Sequence, residues 1–301
     1  PPLLFFLPKP VNTSLSSYKL LIPLLIDNMS YTEIIAKHKR PLGRDKDPRV
    51  ISDINRISLC IRKIAWILLT APSLRIMTKL IYPKSTISHF NRDGAVAFTI
   101  DDGFCGVDNP EGCMLKDVLR LLKSSNAHAT FFITGSHCDH TSRGDVDTLL
   151  ANGHELANHS MMDWPYTSYS EEEFALDIDT TENILSQYRK TATLWYRAPF
   201  GRINKLMQKV LNERKMHHVV CDAFANDTAI PDAHWISKYI LKRVKPGSVI
   251  LIHMPEKGVR EWNLEAMRFT LDGLLKHNLK VVNLTELQNR LYASPWSSHE
   301  D

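Results

Sequence analysis

From Gly94 onward the chain alternates short, almost continuously apolar runs with stretches whose apolar residues recur every three or four positions. The first run, Ala95 to Ile100, is interrupted only by Thr99, as expected of a strand buried on both faces. Ala129 to Ile133, Glu155 to Ala157, Thr193 to Tyr196, His218 to Cys221, Val249 to Ile252 and Lys280 to Asn283 repeat it. Between them lie helical patterns at Met114 to Leu122, Val146 to Leu150, Phe174 to Tyr188, Leu206 to Leu211, Trp235 to Val244 and Leu264 to Leu274. Ser170 and Glu173 form a capping-box pattern before one, and Pro246-Gly247 stops another. Strands joined through helices run parallel, and at this length a closed sheet is favoured over an open one. The expectation is an α/β fold: a distorted (β/α)7 barrel over residues 92–290.

The flanks read differently. Residues 1–28 are uninformative, 29–91 form a partly helical N-terminal extension and 291–301 a C-terminal tail. Lys37 to Arg49 is basic and turn-rich, and a helical stretch from Ile54 to Leu80 breaks at Pro72. Ile64 to Leu69 either buries against the main domain or rests on a membrane surface. The preferred reading buries it, because the stretch is short. Leu3 to Leu7 and Leu20 to Ile26 are apolar but far below the ~20 residues that span a bilayer. No small-residue cleavage site follows them, so neither a signal peptide nor a transmembrane helix is expected, and the compartment stays open. The chain begins at Pro1, and Met29 is a candidate natural start.

A formal charge of +4 without a Lys/Arg block points away from nucleic acid. At 44% hydrophobic residues a core can form without staples. The cysteines Cys60, Cys105, Cys113, Cys138 and Cys221 have no CxxC spacing, which argues against a thiolate zinc site. Cys105 and Cys113 bracket a loop and are expected to be reduced.

In a β/α barrel, chemistry gathers where strands end. The strand ends here carry Asp101-Asp102, Thr134-Gly135, Asn158-His159, Arg197, Asp222 and His253. Adjacent carboxylates on an extended strand point to opposite sides, so Gly103 is expected to supply a bend that lets one ligate a metal while the other takes a proton. His159 and Asp163 stand i, i+4, which in a helical turn places them on one face. With Asp102 they make three ligands and leave positions open for water and substrate. A mixed N/O set suits zinc, with cobalt, manganese or nickel as alternatives. His154 competes as a ligand and is preferred as a structural residue. Arg197 can orient a carboxylate, and Pro199 and Gly201 fix a turn whose backbone N–H can face an oxyanion. His253 is a candidate general acid.

These residues fall into an order similar to that of the polysaccharide deacetylase (NodB-like, chitin deacetylase-type) superfamily. Thr99-Ile-Asp-Asp-Gly103 resembles its first motif, Ala129 to Ile133 with Gly135 its second strand, Arg197-Ala-Pro-Phe-Gly201 its Arg-x-Pro-x-Gly motif, and Leu251-Ile-His253 its Leu-x-His motif. His159-Ser-Met-Met-Asp163 departs from its His-Ser/Thr-x-x-His by ending in Asp. The resemblance implies a metal-dependent hydrolase removing N-acetyl groups from chitin-like amino-sugar polymers or oligomers. Asp101 would be the base, Asp102, His159 and Asp163 the metal ligands, Arg197 the residue orienting Asp101, and His253 the acid. Asp227 would tune His253, with Asp222 as second choice. Phe200 would offer its N–H to the oxyanion beside Pro199, and Trp164, Tyr166 and Trp195 would form a sugar-stacking wall. The rivals are a metal-independent amidohydrolase of the same superfamily and a catalytically silent carbohydrate-binding protein. A magnesium phosphohydrolase built on the Asp pair ranks low, because a phosphate-cradling glycine loop is missing.

Overall fold

The computed structural model describes residues 56–70, 73–104, 106, 109–189, 191 and 194–290, and these all lie in one compact unit. Its centre is β1 (Ala95–Gly103), buried along its whole length as the unbroken apolar run requires. A strand with no exposed face must be covered on all sides, and β1 pairs in parallel with three others: β2 (Ala129–Ile133), β6 (Val249–His253) and β7 (Lys280–Val282). The sheet continues through β3 (Glu155–Asn158), β4 (Trp195–Tyr196) and β5 (His217–His218), so that seven parallel strands curl in the order β5-β4-β3-β2-β1-β6, with β7 beside β1.

Between β5 and β6 the curl is completed by irregular backbone rather than a strand. The N–H groups of Asp222 and Ala223 donate to Val249 O, and Leu251 N–H donates to Ala223 O. The extension adds to the same gap, where Ile87 N–H donates to His218 O and Val220 N–H to Ile87 O. The expected strand at His218 to Cys221 is thus shorter than its apolar content suggests, because Val220 bonds Ile87 and Asp222 and Ala223 bond Val249 instead. Inside the curl, Ala95 and Ala97 of β1 and Ala157 of β3 leave room for Phe132 and Trp195, a small-against-large packing that fills a narrow barrel.

The crossover helices fall where the apolar spacing places them: α3 (Leu115–Ser124), α4 (Arg143–Ala151), α5 (Glu171–Ser186), α6 (Lys205–Glu213), α7 (Ala233–Arg243) and α8 (Trp262–Lys276). Ser170 and Glu173 close the capping box at α5 in both directions. Sequence periodicity missed α9 (Leu284–Asn289), which is only six residues long and starts at a second capping box, Asn283 with Glu286.

Ahead of the barrel lie α1 (Arg56–Leu69) and α2 (Leu74–Ile81). Here the sequence reading is overturned: Ile64, Ile67, Leu68 and Leu69 are exposed, not buried against the barrel. The face that α1 turns inward carries Arg62, Lys63, Trp66 and Thr70. Their side chains meet Ala229 O at 2.9 Å, Asp232 at 2.5 Å, the Phe224 ring at 5.4 Å and the Tyr239 hydroxyl. The expectation of reduced thiols is also corrected: Cys113 is disulfide-bonded, while Cys60, Cys138 and Cys221 are free. Cys105 lies outside the described residues.

One glycine is fixed by the turn into β6. Gly247 has φ +80°, and a Cβ there would stand 1.9 Å from Phe90 O. Gly247→Ala should therefore lower unfolding free energy by about 1–3 kcal/mol or more in urea titration. A variant as stable as wild type would contradict this packing.

Candidate active site

The rim at the C-terminal ends of the strands is built around Asp101 and Asp102. Asp101 stands in register with His253 of β6, and Met254 N–H donates back to Asp101 O at 2.9 Å. The expected bend does occur, but at Asp102, whose φ is +56°, rather than at Gly103. This left-handed residue breaks the β1–β2 register between Ile100 and Gly103 and turns the two carboxylates onto one side.

Arg197 follows β4 and is buried. Its Nη1 donates to Asp101 Oδ1 (2.5 Å) and Thr99 Oγ1 (2.9 Å), its Nε to Val219 O (3.1 Å) and its Nη2 to Val220 O (3.3 Å). The guanidinium lies 4.1 Å from the centre of the Phe132 ring. Pinned at each nitrogen, it leaves Asp101 Oδ2 facing the interior of the rim.

His159 leaves β3. Its Nδ1 donates to Arg197 O at 2.7 Å, which places a proton there and turns Nε2 toward the carboxylates. That Nε2 is 3.7 Å from Asp102 Oδ1 and 3.9 Å from Asp101 Oδ2. The segment to Asp163 is not the helical turn expected: it consists of bends, and Ser160 has φ +64°. Ser160 N–H bonds Asn158 Oδ1, its hydroxyl meets Tyr196, and its O receives Gly135 N–H. A Cβ on Gly135 would meet Met161 Sδ at 2.5 Å, so a larger residue there would push the Met161 side chain aside. Asp163 still arrives beside the others. Burial, and then the charge of Asp102, raise its carboxyl to about 6, while His159, Arg260 and His253 pull the other way.

His253 faces this group from β6. Its Nδ1 bonds Asp227 Oδ1 at 2.8 Å, and its backbone N–H donates to Asp227 Oδ2 at 2.7 Å. Burial alone would lower the imidazole, but the Asp227 carboxylate outweighs it and the group rises to about 9. Asp227 is fully buried and is held by Asn263 Nδ2 (2.7 Å), while its O accepts from Trp262 Nε1 (2.9 Å). Asp222, the second choice, is elsewhere: it binds Arg75 Nε at 2.6 Å and Val249 N–H at 2.8 Å, fastening α2 to the barrel. His154 is structural as preferred, accepting Ala129 N–H at 3.1 Å, and burial drives its imidazole down to about 4.

The Pro199–Gly201 turn projects Phe200 into solvent at φ +57°, beside buried Pro199. The expected aromatic wall does not exist as such. Tyr166 and Trp195 are core residues, and Trp195 Nε1 bonds Thr285. Trp164 is half-buried, with its indole N–H on the Tyr169 hydroxyl at 3.1 Å. Phe200 is the exposed ring of this group.

Sequence reasoning missed Arg260. Its Nη1 donates to Asp102 Oδ2 at 2.7 Å, while Nε and Nη2 are buried with no hydrogen-bond partner among the described residues. The Asp102 charge offsets the cost of burying that guanidinium. No motif marks Arg260, because it lies in the loop between β6 and α8, two elements read separately.

The donors fit a divalent cation in kind: a carboxylate oxygen of Asp102, the imidazole Nε2 of His159, and Asp163, whose negative charge is disfavoured where it stands. They are not drawn into a finished cage. No three described His, Cys, Asp or Glu side chains stand at metal-binding spacing, and Arg260 takes Asp102 Oδ2.

A curled parallel (β/α) barrel with a carboxylate pair at its rim, one member clamped by arginine beside a carboxylate-backed histidine, defines the class of (β/α)-barrel hydrolases. Within it, residues 90–219 of this chain match the polysaccharide deacetylase family model. The chain is 28% identical over 199 residues to a peptidoglycan-N-acetylglucosamine deacetylase of Bacillus cereus, covering 65% of this chain and 89% of that one. It is 26% identical to a chitooligosaccharide deacetylase of Bradyrhizobium, over 64% and 90% of the two chains. A solved peptidoglycan N-acetylglucosamine deacetylase superposes with a TM-score of 0.62 at 25% identity, over 69% and 95%. A CE4 family pseudoenzyme from Bacillus anthracis shares the fold, at TM-score 0.59 and 20% identity over 68% and 69%.

Proposed function

We propose that this chain is a metal-dependent deacetylase that removes N-acetyl groups from amino-sugar polymers or oligomers of the chitin type. The observation that carries this reading is the register of Asp101 with His253: a clamped carboxylate and a carboxylate-backed imidazole on neighbouring strands, with His159 Nε2 3.9 Å from Asp101 and 3.7 Å from Asp102. Hydrolysis of an amide needs a base for the attacking water and an acid for the leaving nitrogen, and the two must not neutralise each other. They have separate partners: Arg197 clamps Asp101, and the Asp227 carboxylate favours the acid form of His253.

Asp102, His159 and Asp163 would hold the divalent cation. When bound, it would polarise the acetyl carbonyl and the water. Asp101 Oδ2 accepts the water's proton as the water oxygen bonds to the carbonyl carbon. The Phe200 N–H, presented at the rim by the Pro199 turn, faces the developing oxyanion. His253 delivers its proton to the nitrogen as the C–N bond breaks, yielding acetate and the free amine. Phe200 offers its ring to a sugar face.

The reading is tested by acetate release from N-acetylglucosamine oligomers with zinc or cobalt added, and again after chelation. Release should appear with metal and disappear without it; activity that survives chelation would overturn the metal assignment. Asp163→Ala should weaken zinc binding in calorimetry by at least about 10–100-fold, and unchanged affinity would remove Asp163 from the ligand set.

The Arg260–Asp102 ion pair favours a second reading, a carbohydrate-binding protein without turnover. Oligomer binding with no acetate release in the presence of metal would establish it.

A further inference from the structure

We propose that the outer face of α1 and α2 docks the protein on an anionic lipid bilayer, lying flat on its surface. This inference is independent of the reaction at the rim.

Exposed apolar side chains are scattered singly over most proteins, but here they are gathered. Ile57, Ile61, Ile64 and Leu68 follow one another along one side of α1 at helical spacing, and Leu80 and Ile81 extend the surface on α2. Leu68 is 68% exposed and Leu80 81%. Elsewhere among the described residues the exposed large apolar side chains are Leu176, Leu194, Phe200 and Leu275, spread over separate elements.

Charge selects the occupant. The segment carries Arg56, Arg62, Lys63, Arg75, Lys79 and Lys84, and no Asp or Glu. Lys63 and Arg75 are spent on Asp232 and Asp222, and Arg62 reaches Ala229 O, while Arg56, Lys79 and Lys84 are exposed beside the apolar residues. An apolar stripe rimmed by exposed cations matches a bilayer interface with anionic headgroups. A second copy of the same face would oppose these cations with its own.

Geometry selects lying over spanning. No described helix is long and apolar enough to cross a membrane alone, and α1 and α2, which together would be, are bent by 68° at their break. Both are also fastened along their inner sides, α1 through Lys63, Trp66 and Thr70 and α2 through Arg75. Crossing would break these contacts, whereas lying flat keeps them. The contact also reaches the rim: Trp66 packs on Phe224, whose ring is 5.9 Å from that of His253.

The test is sedimentation of the full chain with vesicles of phosphatidylcholine plus phosphatidylglycerol, against phosphatidylcholine alone. The wild type should sediment with the anionic vesicles and much less with the neutral ones. The combined variant Ile61→Glu, Leu68→Glu, Leu80→Glu should lose at least about tenfold in vesicle affinity. Its circular dichroism and melting should match wild type, because all three sites are exposed. Should it fail to fold, Lys79→Glu with Lys84→Glu, which leaves the apolar face intact, decides: about a tenfold loss on anionic vesicles is expected. Wild type that remains in the supernatant with both vesicles overturns the proposal. So does wild-type binding that both variants retain, which would place the lipid contact elsewhere, for example in Leu3 to Leu7 or Leu20 to Ile26. A dimer that the apolar variant dissociates, without vesicle binding, would assign the face to a second copy.

Discussion

Asp101→Asn should reduce acetate release from N-acetylglucosamine oligomers by about 10²–10⁴-fold while leaving oligomer affinity and melting temperature near those of wild type. The asparagine carbonyl can still accept from Arg197 Nη1, so the clamp and the surrounding fold persist. What disappears is the basic oxygen, Oδ2, which faces His159 across 3.9 Å. The measurement separates two roles. If Asp101 only anchored Arg197, the amide would serve nearly as well and the rate would hold. A rate within a few-fold of wild type would therefore remove Asp101 as the base.

The second large effect is a displacement along the pH axis. His253 is held at about 9 against a free value of 6.5, so its acid form is present through neutral pH and is lost as pH rises past about 9. Acetate release should fall on the alkaline side near that value. In Asp227→Asn the outweighing charge is gone and burial dominates, so the alkaline limb should move from about 9 to 6.5 or below. At pH 8 that alone costs about 30-fold, because only a few per cent of an imidazole titrating near 6.5 is then protonated. His253→Ala should lose about 10²–10⁴-fold at every pH, with no alkaline limb of this origin. A pH profile unchanged in Asp227→Asn would show that Asp227 is a structural support for β6 and nothing more.

Much of the barrel was legible because its signals are local. A strand buried on both faces must be apolar throughout, so Ala95 to Ile100 announces itself, and α5 is bounded by a capping box four residues long. The rim was legible for a related reason: polar groups that directly follow such strands have few other places to go. Failures arose where the deciding partner is distant in sequence. Nothing around Arg260 indicates that its guanidinium will meet Asp102, 158 residues away. Ile64 to Leu69 reads as core by composition, yet the inward side of α1 is set by Lys63 reaching Asp232 and Trp66 reaching Phe224. Asp102 and Ser160 adopt left-handed backbone that neither residue prefers, imposed by the loops packed around them. For that reason the sequence points to the glycine beside Asp102 for the bend and to a helix for the turn after His159.

Arg197 bears on how such a site can come into being at all. Its guanidinium joins Thr99 and Asp101 to the carbonyls of Val219 and Val220, and its own carbonyl holds His159. Asp101 and the His159 imidazole are thus oriented by a residue that is itself oriented only when the segment after β5 is in place. A chain emerging from the ribosome has its carboxylate pair long before that segment follows, but no competent rim. Chemistry is withheld until the curl is complete, and any inherited change that improves the reaction must do so without loosening the closure of the barrel.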